Sequence, residues 1–216
     1  MRSAPEGRTP AGRLRLLAVD VETTGLDPAR DALLAVGFVP VDGTRVDLRG
    51  ARRVVVRHDG DPGPSVALHG LTHDVLSDGV PLEQVLAELL AALAGRVLLA
   101  HHAPLEIGFL DAACRRLTGS PLRTPVVDTV ALQRRLVTSA WEPEPAPGSL
   151  RLWAARRRFG LPDVPAHDAL SDAIACAELY LAQVAELTAA GGGQEPTLSR
   201  LRATGGWRSA LRRRWR

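Results

Sequence analysis

The chain has 216 residues, of which 45% are hydrophobic, and a formal net charge of +3. This length and apolar content suit one domain with a substantial core and at most a short appendage. No apolar run approaches the roughly 20 residues of a membrane span, and the first residues contain no signal-peptide core. A soluble cytoplasmic protein is therefore expected. Cys114 and Cys176 are too few and too far apart to predict a disulfide framework or a zinc knuckle, and buried inert thiols are expected instead.

The positive charge is concentrated near the C-terminus. Residues 196–216 contain seven Arg and no acid, so the rest of the chain sums to 3 − 7 = −4. A basic segment beside an acidic body suits contact with a polyanion such as nucleic acid, and Trp207 and Trp215 within it could stack on bases. A solvated tail and a short amphipathic helix that docks on a partner or on the body of the protein itself are equally consistent with this composition.

Apolar patterning in the first third of the chain predicts an antiparallel meander. The first dozen residues have the composition of a disordered segment. Strands are then expected at residues 13–22, 32–42 and 51–58, and short connections between them favour antiparallel pairing. The segment DGDPGPS, residues 59–65, has the composition of a loop.

Helices and strands alternate in the remainder of the chain. The expected elements are a helix at 80–95, a strand at 96–103, a helix from Pro104 to about Leu117, a strand and helix within 125–137, a Pro-rich loop at 141–149, a helix at 149–160 and a long helix from about Asp168 to Thr188. This order predicts an α/β fold with a mixed sheet flanked by helices. One domain at 14–190 is expected between a disordered segment, 1–13, and a flexible basic tail, 191–216.

Asp20 and Glu22, on the first predicted strand, are the first candidate site residues. Side chains alternate along a strand with period two, so both carboxylates should project from the same face. Two like charges side by side repel unless a cation lies between them, and Mg²⁺ and Mn²⁺ take hard oxygen ligands of this kind. A solvated strand face contains such pairs as well, so a metal site requires further acids from other elements.

Five motifs follow one another along the chain. They are VDVETTGLD at 19–27, LHGLTHD at 68–74, AHHAPLEIGFLDAAC at 100–114, VVDTVAL at 126–132 and HDALSDAIACAEL at 167–179. In order and spacing they resemble the DEDDh exonucleases, the DnaQ-like family that includes the proofreading epsilon subunit of bacterial DNA polymerase III. The resemblance implies a ribonuclease-H-like fold whose carboxylates bind two Mg²⁺ or Mn²⁺ ions. The implied reaction is hydrolysis of the terminal phosphodiester at a 3′ end, which releases nucleoside 5′-monophosphates.

The resemblance also assigns the central residues. Asp20 and Glu22 form the first acidic motif, Asp172 supplies the last acid, and His167 is the general base that accepts a proton from the attacking water. An imidazole with an ordinary pKa of about 6.5 suits this task near neutral pH. The helix that follows has a face of small residues that would let it pack closely on the sheet: Ala169, Ala173 and Ala177.

One position departs from the family pattern. The second family motif reads roughly His-Asn-Ala-x-Phe-Asp, whereas this chain has Glu106 in place of the Asp. The extra methylene moves the carboxylate, and Mg²⁺ demands near-ideal octahedral geometry. Because Pro104 begins the helix, Glu106 also falls in the first turn, where an acid favours the helix dipole. Metal ligand and helix cap are both open interpretations. Asp111 is no substitute, since it lies about 140° around the helix from Glu106.

Further residues match family positions that contact the terminal nucleotide: Thr23, Thr24, Gly25, His69 and His101. Gly25 would let the backbone approach a ligand closely. Each of the two histidines is also consistent with an ordinary loop residue. Asp128 matches the family as well, but an acid between a strand and a helix is as readily an N-cap, so it is not assigned a catalytic role.

The expected substrate is the 3′ end of single-stranded DNA, with a polymerase or repair protein as a partner. An oligoribonuclease-like enzyme that degrades RNA or short oligonucleotides would use the same residues, so the sequence does not separate the two. A third interpretation is a noncatalytic nucleic-acid-binding protein that kept the fold after Glu106 disturbed metal binding. The presence of Asp20, Glu22, His167 and Asp172 argues against this interpretation.

Overall fold

A computed structural model describes residues 5–138 and 144–202, and its strands form one mixed sheet. The strands are β1 (Arg15–Thr23), β2 (Leu33–Asp42), β3 (Arg45–Val46), β4 (Arg52–Val55), β5 (Val97–Ala100) and β6 (Val126–Asp128). Their order is β3-β2-β1-β5-β6, and β4 pairs with another part of β2. β2 runs antiparallel to β1, β3 and β4, whereas β5 is parallel to β1 and to β6. The predicted meander and mixed sheet are confirmed.

Eight α-helices lie within the described residues. They are α1 (Val66–His69), α2 (His73–Ser77), α3 (Leu82–Leu93), α4 (Pro104–Thr118), α5 (Thr129–Val137), α6 (Leu152–Arg158), α7 (Ala169–Ala190) and α8 (Leu198–Leu201). The sequence did not predict α1, α2, α8 or β3, because two to five residues are too few to display a period. Residues 139–143, which include the start of the predicted Pro-rich loop, lie outside the described residues.

The alternation of side chains along β1 divides the core into two layers. Leu17, Val19 and Val21 pack on the side of the sheet that α3 and α4 cover. Leu16 and Ala18 pack on the opposite side, with residues of α5, α7 and α8. Asp20 and Glu22 continue the second series, so both acids face the layer that contains α7.

The helix α7 lies directly against the central strands. Its small residues Ala169, Ala173 and Ala177 are fully buried, which confirms the predicted packing face. Gly37 on β2 makes this approach close: a Cβ at Gly37 would lie 2.1 Å from the backbone carbon and oxygen of Ala169. Gly37 pairs with Asp20 across the sheet. The start of α7 is therefore held next to the strand acids.

The length and composition of α7 would also allow it to cross a membrane. It has 22 residues, and its most apolar window has a mean hydropathy of 1.3. Its contacts are those of a core helix, because it packs on β1 and β2 through fully buried residues. Among the described residues it is the one helix with such a composition.

The two ends of the described chain pack together, within segments that the sequence placed outside the domain. Residues 1–13 and 191–216 were expected to be disordered and flexible, yet the backbone of Ala11 bonds to Pro196 and that of Leu198 to Thr9. Leu198 and Leu201 are buried against the second core layer. Two leucines in a polar, Arg-containing segment give too weak a pattern to predict this. Residues 1–4 and 203–216 lie outside the described residues.

Candidate active site

Three carboxylates from two elements converge beside the central strand. Asp20 and Glu22 on β1 and Asp172 on α7 each offer an oxygen atom, and these oxygens lie within 4.8 Å of one another. The period of the strand places the first two side by side, and the close packing of α7 at Gly37 brings the third. Acids that are about 150 residues apart in sequence thus share one small volume.

Glu106, in the first turn of α4, lies outside the three acids whose oxygens converge but acts on Asp20 through its charge. Glu106 is buried. The pKa of Asp20 is raised well above its ordinary value, first by the burial of Asp20 and next by the negative charge of Glu106. Burial also raises the pKa of Glu106 well above its ordinary value, although a hydrogen bond to its own backbone opposes this shift. Both interpretations of the sequence therefore have a physical basis: Glu106 lies in the first turn of α4, and its charge acts on Asp20.

The site is short of positive charge. Burial, followed by the charges of Asp172 and Asp168, raises the pKa of Glu22 to about 7, although the charge of Arg53 opposes this shift. The pKa of Asp172 is raised as well, chiefly by burial. One buried oxygen of each of three acids, Glu22 Oε1, Asp172 Oδ1 and Glu106 Oε2, has no hydrogen-bond partner within the described chain. Clustered, unpaired carboxylate oxygens are the donor set that Mg²⁺ and Mn²⁺ require, so these residues fit a divalent-cation site.

His167 stands at the entrance to α7 with an exposed side chain. Its φ is +62°, and its backbone N–H donates a hydrogen bond of 3.0 Å to Asp172 Oδ2. His102, which precedes α4, also has a positive φ, +73°. A left-handed conformation is uncommon for residues other than glycine and is often found at functional sites. Each helix that carries one of the acids is thus entered through such a histidine.

Asp168 and Arg53 adjoin this cluster and were not singled out from the sequence. Asp168 is the N-cap of α7, and its Oδ1 accepts a hydrogen bond of 3.0 Å from the Ser171 N–H. Its Oδ2 lies 2.6 Å from Arg53 Nε on β4. Arg53 was visible only as a charge on a predicted strand, and nothing local indicates a partner so distant in the sequence.

The turn after β1 uses its polar groups internally. Thr23 Oγ1 donates to the Gly25 carbonyl at 2.6 Å, and Thr24 Oγ1 accepts from the Ala32 N–H at 2.9 Å. A Cβ at Gly25 would lie 2.5 Å from Asp31 Oδ2, so a larger residue here would require the Asp31 carboxylate to move. The expected contacts of Thr23, Thr24 and Gly25 with a nucleotide stay a prediction.

His69 and His101 are both hydrogen-bonded inside the fold. His69 Nδ1 accepts the Leu71 N–H at 3.0 Å, and burial, together with the charges of Arg53 and His167, lowers its pKa. His101 Nδ1 lies 2.8 Å from Thr129 Oγ1, and burial lowers its pKa to about 4. Both rings are therefore neutral near pH 7. Their expected role at the 3′ end of a substrate stays a prediction.

Asp128 behaves as the N-cap that the sequence allowed. Its Oδ1 accepts hydrogen bonds from the Val130 N–H at 2.9 Å and from the His102 N–H at 3.1 Å. The first bond caps α5, and the second fixes the turn from which α4 and Glu106 begin. Its contribution to the site is therefore structural.

The fold and the acidic cluster together define a ribonuclease-H-like α/β protein with a potential cation site on its central strand. A family model described as "Exonuclease", RNase_T, matches residues 17–180. The chain belongs to this family, and the resemblance to DEDDh exonucleases is confirmed.

Relatives in bacteria carry polymerase names. The DNA polymerase III subunit epsilon of Treponema pallidum is 29% identical over 189 residues, which is 85% of each chain. A subunit epsilon-like protein of Rhodobacter capsulatus is 32% identical over 185 residues, which is 85% of this chain and 25% of the relative. A PolC-type DNA polymerase III of Thermotoga petrophila is 29% identical over 171 residues, which is 76% of this chain and only 11% of that protein.

Solved structures of Exonuclease I have the same fold. The complex of the E. coli protein with a dT13 oligonucleotide has a TM-score of 0.66 and 18% identity, over 78% of this chain and 40% of that one. A zinc-bound form with single-stranded DNA has a TM-score of 0.69 and 18% identity, over 81% of this chain and 41% of that one. At this identity the likeness supports the fold, which agrees with the sequence prediction.

Proposed function

We propose that this chain is a divalent-metal-dependent 3′-to-5′ exonuclease that removes nucleoside 5′-monophosphates from single-stranded DNA. The observation that carries the proposal is the convergence of Asp20, Glu22 and Asp172 within 4.8 Å. Such a cluster raises the pKa of its members, which is unfavourable near neutral pH unless a cation is bound. Membership of the exonuclease family supports the same conclusion.

Two Mg²⁺ or Mn²⁺ ions are the proposed cofactors, and Asp20, Glu22, Glu106 and Asp172 would hold them. When bound, they would supply positive charge to the phosphate and increase the acidity of a water molecule. The unpaired oxygens of Glu22, Asp172 and Glu106 are available for this role. The buried position of Glu106 next to Asp20 supports a ligand role over a cap alone.

His167 is the proposed general base. Its backbone N–H is bonded to Asp172, so its imidazole is tethered beside the acids while remaining exposed to the entering substrate. It would accept a proton from the attacking water as the water oxygen bonds to the terminal phosphorus. The bond from that phosphorus to the preceding 3′ oxygen breaks, and the leaving oxygen takes a proton from solvent.

Single-stranded DNA is the proposed substrate because Exonuclease I has been crystallised with dT13 and dA16 oligonucleotides. Thr23, Thr24, Gly25, His69 and His101 are the proposed contacts to the terminal nucleotide. A polymerase or repair protein is the proposed partner, since relatives are named as subunits of DNA polymerase III. The proposed location is the cytoplasm. An oligoribonuclease-like preference for RNA is distinguished by comparing matched DNA and RNA strands.

The test uses a 5′-labelled single strand with Mg²⁺ or Mn²⁺. The wild-type protein is expected to shorten the strand from its 3′ end and to release 5′-monophosphates. Asp20→Asn and Asp172→Asn should each lower the rate by about 10³-fold or more, because either change removes a charged ligand. Glu83→Gln, in an exposed acid of α3, is the matched control and should leave the rate unchanged. A protein that retards the strand without shortening it with either ion would be a binder, and the proposal would fail.

A further inference from the structure

Arg53 connects an edge strand to the segment that carries His167. It lies on β4 opposite Gly37, and Gly37 is itself paired with Asp20 on β1. Directly paired residues project from the same face of a sheet, so Arg53 reaches toward the layer of α7. There its Nε lies 2.6 Å from Asp168 Oδ2, and each side chain is 34% exposed.

Both carboxylate oxygens of Asp168 are engaged by different elements. Oδ1 accepts the Ser171 N–H of α7 at 3.0 Å, and Oδ2 forms an ion pair with Arg53 of β4. This arrangement fixes the orientation of the side chain and the position of its backbone. Since consecutive Cα atoms are about 3.8 Å apart, the backbone of His167 is restrained as well.

The same segment is anchored at its other end by a buried arginine. Arg156 Nη2 donates to the Pro162 carbonyl at 2.8 Å, and its Nη1 donates to the Ala175 carbonyl of α7 at 2.8 Å. Residues 163–167 therefore span two fixed points. At the end next to His167, the fixed point is the ion pair between Arg53 and Asp168. Both groups are partly exposed, so a substitution can remove the pair without opening the core.

We propose that Arg53 is a positioning residue for the exonuclease reaction: through its ion pair with Asp168 it holds His167 where the base can act. This inference rests on the proposed function. It assigns to Arg53 a role through Asp168 and not through contact with the substrate. The unusual φ of His167, +62°, is a conformation that the surrounding contacts must maintain, and the pair with Arg53 is one of them.

The kinetic test uses the full chain with Mn²⁺ and the p-nitrophenyl ester of thymidine 5′-monophosphate, which has no further backbone phosphates. Arg53→Ala should lower kcat by about 10-fold or more, as expected when a base is displaced, and should leave KM within about 3-fold. Arg53→Lys should recover part of the loss. Arg52→Ala is the matched control, because Arg52 points to the opposite face and pairs with Glu88 of α3; its kcat should be unchanged.

A double-mutant cycle identifies the route. Asp168→Asn keeps an oxygen for the Ser171 N–H but removes the charge, so it should reproduce most of the loss caused by Arg53→Ala. Combining the two should lower kcat little further, since both remove the same ion pair. If Arg53→Ala chiefly raises KM, and its effect multiplies with that of Asp168→Asn, Arg53 acts on the substrate phosphate and the proposal is overturned.

Amide hydrogen exchange gives a readout that does not need turnover. The His167 N–H should lose protection by about 10-fold in Arg53→Ala, whereas the interior of α7 should exchange as in the wild type. Arg52→Ala should change neither. Unchanged exchange at His167 would overturn the positioning role, whereas a wild-type protein without nuclease activity would overturn the proposed function alone.

Discussion

At the scale of single residues, the acids on β1 are arranged at the expense of stability in the metal-free protein. The pKa of Glu22 is raised to about 7, with burial as the first cause and the charges of Asp172 and Asp168 next. A carboxyl whose pKa is higher in the folded than in the unfolded chain stabilises the fold when it is protonated. This stabilisation is complete below the unfolded pKa, near 4.5, and is lost as the pH rises through about 7.

The first prediction follows from this sign. In a chelator, the melting temperature of the wild-type protein should fall by a few °C between pH 5 and pH 8, since about 1 kcal/mol corresponds to roughly 2–4 °C in a domain of this size. Glu22→Gln should flatten that part of the profile. Added Mn²⁺ should raise the melting temperature more at pH 8 than at pH 5. Identical pH profiles for wild type and Glu22→Gln would contradict the raised pKa.

Glu106 supports a second prediction at this scale. Glu106→Asp shortens a buried side chain by one methylene, which costs about 1 kcal/mol, but it keeps a carboxylate in the site. Its activity should stay within about 10-fold of wild type or increase, because the change restores the family residue. Glu106→Gln should lower the rate by about 100-fold or more. The measurement is the rate with Mg²⁺ and with Mn²⁺. Wild-type rates in Glu106→Gln would mean that Glu106 acts only as a helix cap and not as a metal ligand. Complete loss of activity in Glu106→Asp would indicate a differently shaped site.

At the scale of elements, the sequence predicted what depends on local periods. The two-residue period placed Asp20 and Glu22 on one face, and the small residues every four positions predicted the side of α7 that meets the sheet. The close approach of Gly37 to the start of α7 was not predictable, because a glycine inside a strand does not identify what approaches it. The same holds for the ion pair between Arg53 and Asp168, whose partners are brought together only by the tertiary fold.

The third prediction concerns the approach of α7 to β2. Gly37→Ala would place a Cβ against the backbone of Ala169, so α7 must shift and carry Asp172 with it. Overpacking of this kind costs about 1–3 kcal/mol, and the displaced acid should lower the nuclease rate by about 100-fold. Val36→Ala is the control, because Val36 is equally buried but faces the other core layer. The two variants should melt at comparable temperatures, but Gly37→Ala should have a much lower nuclease rate. Equal rates in the two variants would show that Gly37 does not position the acids.

At the scale of the whole molecule, the two ends of the described chain complete the second core layer. A side-chain oxygen of Glu195 accepts the Gly12 N–H at 3.0 Å, and Leu198 and Leu201 are buried beside α7 and β6. These segments were predicted to be disordered or flexible from their composition, because they are rich in Gly, Pro and Arg. Burial of each leucine side chain stabilises the fold by about 1.5–3 kcal/mol, and composition alone does not indicate this burial. The packed part of the described chain therefore extends at least to Leu201.

The last prediction separates the packed end from the arginines beyond it by truncation. Removing 203–216 deletes five of the seven arginines but keeps the buried Leu198 and Leu201, so the melting temperature should stay within about 2 °C of wild type. Binding to single-stranded DNA should weaken at low salt, and the slope of log K against log salt should become shallower by about 0.7 for each phosphate that an arginine no longer neutralises. Removing 197–216 also deletes Leu198 and Leu201, so this variant should melt about 10 °C lower. An unchanged salt dependence in the shorter truncation would mean that the arginines do not contact DNA, and equal melting temperatures in the two variants would contradict the packed end.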